Sequence, residues 1–103
     1  MATQEPVECA MRPIHPGEIL RDELDELALS ARAFARALDI PVNRVTQILR
    51  GQRGISADSA LRLARYFGTS AEFWMDLQSD YELRRARAEA GEAIEHAIRP
   101  RAA

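Results

Sequence analysis

Residues 30–51 read SARAFARALDIPVNRVTQILRG, and this stretch decides the fold. Ser30 is a good N-cap, because its hydroxyl can accept an amide at the open start of a helix. Phe34, Ala35 and Leu38 follow at helical spacing and predict an inward face. Asp39, Ile40 and Pro41 then break the pattern as a tight turn. A second helix is expected from about Val42 to Arg50, with Gly51 as its left-handed stop. Two short helices across a tight turn form the helix-turn-helix layout. Helices this short are marginal alone in water, so neighbouring helices must bury their apolar sides.

On a helical wheel, Val45, Ile48 and Leu49 share the core side of the second helix. Asn43, Gln47 and Arg50 point the opposite way, flanked by Thr46 and Arg44. Asn and Gln can pair bidentately with adenine, Arg can pair with guanine, and a Thr or Val methyl can meet the methyl of thymine. In this motif the first residues of the second helix reach the bases. The expected base contacts are therefore Asn43, Thr46 and Val42, ranked above Gln47. Expected phosphate contacts are Ser30 at a helix N-terminus, Arg32 and Arg36 on the outer face of the first short helix, Arg44, and Arg50 and Arg53 around the loop 51–54. Arg62 and Arg65 could join them, or could instead pair with Asp58 or an acid of the helix that begins at Pro16. The competing reading of the whole face is an ordinary solvated helix surface.

Working outward, residues 1–13 hold two prolines and no apolar period, which predicts a mobile arm. Pro16 suits the first turn of a helix, where the missing N–H costs nothing. Ile19, Leu20, Leu24 and Leu27 give that helix an apolar stripe, and Glu18, Asp22, Glu23, Asp25 and Glu26 give it an acidic face. On the other side, Ser56 caps a helix with Ala60, Leu61, Leu63, Ala64 and Phe67, which Gly68 ends. Thr69 or Ser70 caps the next, with Phe73, Trp74 and Leu77 expected inward. A thinner stripe of Tyr81, Leu83, Ala86, Ala90, Ile94 and Ala97 continues to Pro100, weakened at Gly91 by roughly 1 kcal/mol relative to Ala. The expected division is the arm 1–13, a helix-turn-helix domain 14–79, and a C-terminal helix and tail 80–103.

Composition agrees with an all-α chain: 103 residues make one domain, and Ala, Leu, Arg and Glu, all helix formers, dominate. The net charge of −2 argues against nucleic acid until it is mapped along the chain. Residues 1–27 carry two arginines and seven acids, residues 28–68 seven arginines and two acids, and residues 69–103 five arginines and seven acids. DNA responds to the local field, and the middle segment is a basic island. All 14 basic residues are Arg, which a GC-rich genome also favours. The lone cysteine, Cys9, cannot form an internal disulfide, which points to the cytoplasm. No apolar run approaches a membrane span, and no signal-peptide pattern opens the chain.

The run from His15 to Leu83, about two-thirds of the chain, resembles the HigA/VapI-type antitoxin branch of the Xre-like (lambda-repressor-like) helix-turn-helix family. The resemblance is carried by His15-Pro16-Gly17-Glu18-Ile19-Leu20, Ile48-Leu49-Arg50-Gly51, Ala60-Leu61-Arg62-Leu63-Ala64, Gly68-Thr69-Ser70, Phe73-Trp74, Leu77-Gln78 and Tyr81-Glu82-Leu83. It implies a five-helix lambda-repressor-like domain, here with a helical C-terminal extension. It further implies a homodimer on a palindromic operator, repression of the chain's own operon, and neutralisation of a small basic RelE-like toxin that cleaves mRNA. The sequence departs from the family in the turn, where Asp39 replaces a common Gly. It departs again at Ala31, where Gln is frequent, at Pro41, where a Ser or Thr cap is usual, and at Glu82, where Asp is frequent.

Other residues invite chemistry. His15 and Glu18 could be half a metal site, but capping or packing is the stronger reading of His15, since a metal needs three or four ligands. Trp74 with Phe73 reads as core, Gln78 as a buried hydrogen-bond partner, and Cys9 as inert. No Ser, His and Asp trio or Gly-rich phosphate loop stands at a useful spacing, so neither an enzyme nor a cofactor is expected. The alternative to the antitoxin is a stand-alone helix-turn-helix regulator without a toxin. For a toxin or a dimer partner, the acidic face of the first helix and the stripe 83–97 are the candidate surfaces.

Overall fold

The computed structural model describes residues 12–102, which are helical apart from short connections. The expected arm lies almost wholly outside the described residues, Cys9 included. The first helix, α1 (Pro16–Leu27), starts with Pro16 at its first turn and His15 as N-cap. Nδ1 of His15 accepts the Gly17 amide at 2.9 Å, and the Glu18 carboxylate accepts the His15 amide at 3.2 Å. These two bonds make a capping box with His in the place of the usual Ser or Thr. The helix ends at Ala28 in the left-handed region, φ 54°. That conformation costs an L-residue about 1–2 kcal/mol, and the amide of Leu29 offsets it by bonding back to the Leu24 carbonyl at 2.9 Å.

Residues 30–51 fold as α2 (Ala31–Leu38) and α3 (Val42–Leu49) with their flanking turns. The Ser30 hydroxyl accepts the Ala33 amide at 3.1 Å. Asp39 takes the left-handed conformation, φ 59°. Pro41 provides the extended residue before α3 but no side-chain cap. Gly51, with φ 74°, turns the chain out of α3. Ser56 caps α4 (Ala57–Phe67), Gly68 closes it at φ 74°, and Ser70 caps α5 (Ala71–Ala86). Thr69 does not cap that helix; its hydroxyl accepts the Trp74 indole N–H at 2.9 Å.

The core draws on α1 to α5. Leu20 and Leu24 meet Phe34, Ala35, Leu38, Val45, Ile48, Ile55, Ala60, Leu63 and Trp74. Each large side chain so buried contributes about 1.5–3 kcal/mol, which makes two-turn helices stable here. Three expected core residues are exposed instead: Leu61 is 64% exposed, Leu27 49% and Phe73 45%. Neighbours in a helix point about 100° apart, so Phe73 cannot share the direction of Trp74, nor Leu61 that of Ala60. Leu27 sits in the last turn of α1, past the core.

Beyond Gln78 no described residue is buried. The helix runs through residues 79 and 80 without interruption. It passes a π-helical turn at Arg87–Gly91, around the weak position Gly91, and finishes as α6 (Glu92–Ala97). No helix of the described residues is long and apolar enough to cross a membrane.

Candidate nucleic-acid interface

The recognition candidate α3 is anchored by Val45 and Ile48, each 3% exposed. Asn43 stands exposed on the opposite side, with Gln47 half-buried beside it. Thr46 is half-buried too, and its hydroxyl donates to the Asn43 carbonyl at 3.1 Å. That bond occupies the hydroxyl proton and leaves Thr46 its methyl and an acceptor oxygen. Val42 is half-buried and packs partly against the core.

Arg50 and Arg53 are exposed at and after the C-terminus of α3, and Arg32 and Arg36 are exposed on α2 beside Ser30. Arg44 is engaged within the chain: its guanidinium lies 2.6 Å from the Asp58 carboxylate. Asp58 also holds Arg62 at 2.8 Å, which settles the open question about Arg62 in favour of Asp58. The two guanidinium groups, Arg62 first, keep the Asp58 carboxyl below its ordinary range.

Two arginines fix the helix ends in a way the sequence did not reveal. Arg62 donates to the carbonyls of Leu38 and Asp39 at 2.9 and 3.2 Å, so it caps the C-terminus of α2. Arg21, from the acidic α1, donates to the Leu49 carbonyl at 3.0 Å and does the same for α3. A cation at a helix C-terminus offsets its partial negative charge and satisfies open carbonyls. The C-terminal ends of both helices of the motif are thus each held by an arginine. No local signal announces either bond, because the partners are 28 and 24 residues apart.

The loop after α3 is held from beneath. Gln78 of α5 accepts the Ile55 amide at 2.7 Å and donates to Glu82 at 2.8 Å, so it is the buried hydrogen-bond partner its position suggested. Gly54 fits against the Gln78 amide, where a Cβ would collide with it. His15 backs the same loop. It is 7% exposed, stacks edge-on against Tyr81 with ring centroids 4.8 Å apart, and has a backbone hydrogen bond at Arg53. Its pKa lies below 6.5, chiefly because burial disfavours the charged ring. Glu18 is paired with Arg12 at 3.3 Å rather than poised for a metal. Among the described residues, no three His, Cys, Asp or Glu side chains come together to hold an ion.

A helix-turn-helix family model matches residues 20–74, more than half the chain. Virulence-associated protein I of Dichelobacter nodosus is 53% identical over 77 residues, covering 74% of this chain and 71% of that protein. The antitoxin HigA of Pseudomonas aeruginosa, solved with the higBA promoter, is 61% identical with a TM-score of 0.84, over 86% of this chain and 98% of that one. A HigA-family addiction module antidote protein from Coxiella burnetii superposes with a TM-score of 0.85 at 53% identity, over 87% of this chain and 99% of that one. The chain belongs to the Xre-like helix-turn-helix family, in its HigA antitoxin branch, a family of DNA-binding proteins and not of enzymes.

Proposed function

We propose that this chain is the antitoxin of a type II toxin–antitoxin module, which represses its own operon and neutralises a small basic RelE-like toxin that cleaves mRNA. It binds a palindromic operator as a homodimer in the cytoplasm, with one α3 in each of two major-groove half-sites. Asn43, Gln47 and the methyl groups of Thr46 and Val42 read bases. Ser30, Arg32, Arg36, Arg50 and Arg53 take phosphate oxygens, and Arg44 joins them when it leaves Asp58. The observation that carries this reading is the polar face of α3, with exposed arginines on α2 and in the loop after α3, and with Arg62 and Arg21 bonded to the C-terminal ends of α2 and α3. The similarity to an antitoxin solved with its promoter supports the DNA half of the proposal.

The test is co-expression of the tagged chain with the small open reading frame beside its gene. A stoichiometric basic partner that arrests growth when expressed alone is the expected result. Operator binding without any partner would reduce the function to that of a stand-alone repressor.

A further inference from the structure

The two arginines on Asp58 are not equivalent. Arg62 reaches both carboxylate oxygens, at 2.8 and 3.4 Å, and is also anchored on the carbonyls of Leu38 and Asp39. Arg44 belongs to the recognition helix, and its side-chain partner among the described residues is Asp58. If Arg44 departs, the carboxylate keeps Arg62 and no charge is stranded. The carboxylate is 54% exposed, so water screens the pair and the contact is weak. A phosphate oxygen presents the same guanidinium with an equivalent acceptor.

We propose that Asp58 is an intramolecular competitor for DNA phosphate: it holds Arg44 in the free protein and releases it to the backbone of a bound duplex. Asp58 thereby sets the affinity of the domain and its response to salt. The inference rests on the DNA-binding reading above and specifies its regulation. Removing the carboxylate frees Arg44 in advance and removes a negative charge beside the phosphates. Because phosphate contacts carry no base information, the gain is the same on every sequence.

The experiment compares the unmodified chain, Asp58→Asn, Arg44→Gln and the double variant on two duplexes. One covers the region upstream of the chain's own gene, and the other has random sequence and the same length. Asp58→Asn is expected to bind both about three- to fivefold more tightly at low salt. The slope of log affinity against log salt should steepen by up to about 0.9, and most of the gain should be lost in the Arg44→Gln background. Unchanged or weaker binding by Asp58→Asn with an intact helical circular dichroism spectrum overturns the inference, as does a gain that Arg44→Gln leaves undiminished. Should Asp58→Asn fold poorly, the Asp58 carboxyl of the unmodified chain is titrated by NMR, free and duplex-bound. Loss of Arg44 raises its midpoint, and an unmoved midpoint overturns the inference. Failure of the unmodified chain to bind either duplex would instead remove the DNA reading itself.

Discussion

Gly17, in the first turn of α1, lies so close to the carbonyl of Ile48 in α3 that a Cβ on Gly17 would overlap the oxygen. The obstacle is backbone, which cannot swing aside as a side-chain end can. The start of α1 and the end of the recognition helix are thus in direct register. Gly17→Ala is expected to destabilise the fold by about 1–3 kcal/mol, the usual range for overpacking. A urea unfolding curve checks this, and an unchanged midpoint would show that α1 and α3 separate freely.

Gln78 is the acceptor for the buried Ile55 amide. Gln78→Leu leaves that amide unsatisfied, which costs about 1–3 kcal/mol. Gln78→Glu retains the acceptor but brings a second carboxylate against Glu82, where the amide now donates. The expected order of urea midpoints is Gln78, then Gln78→Glu, then Gln78→Leu. Equal loss in both variants would mean that the donation from the Gln78 amide to Glu82, rather than the bond from Ile55, matters at this position.

What could be read from the sequence was local. Ser30, Ser56, Gly51 and Gly68 mark helix ends through bonds to amides a few residues away or through left-handed φ, and both belong to the residue type itself. The outward face of α3 follows from the 3.6-residue period alone. Ala28 was not legible as a helix stop, because nothing in Ala favours a left-handed φ; the turn exists so that Leu29 can return to the core. Arg21, Arg62 and Asp58 act across 14 to 28 residues, and a list of charges does not say which ones meet. Arg44 is the instructive case: the wheel put it beside the reading face, while its ion pair depends on where α4 starts.

The His15 ring should give the fold a pH dependence. Burial lowers its pKa in the native state, and the nearby Arg85 pushes the same way against Glu18 and the Arg53 backbone. Between 6.5 and the lower native value, the unfolded chain takes up a proton that the native chain refuses. Stability from this group is therefore complete above 6.5 and falls as pH drops through that window. A proton on Nδ1 would also remove the acceptor of the Gly17 amide. His15→Asn keeps a cap acceptor without a titrating ring. The difference in urea midpoint between the unmodified chain and His15→Asn should shrink from about pH 7.5 to about pH 5.5. A constant difference would show that His15 titrates alike in both states.

Base reading and phosphate holding can be separated by one residue from each class. Asn43 is exposed on the face of α3 opposite Val45 and Ile48, and Arg53 is exposed on the loop that follows. Neither supports the core, so alanine at either position should leave unfolding nearly unchanged. On the operator duplex, Asn43→Ala is expected to cost about 1–3 kcal/mol of binding and to relax preference at one base pair per half-site. Arg53→Ala should weaken operator and random duplexes by the same factor and reduce the salt slope by roughly 1. Fluorescence anisotropy on a panel of single-base operator variants distinguishes them. Uniform weakening by Asn43→Ala across the panel would move that residue to the phosphates and leave Gln47 and Thr46 to carry the reading. A change in preference caused by Arg53→Ala would mean that the loop enters a groove.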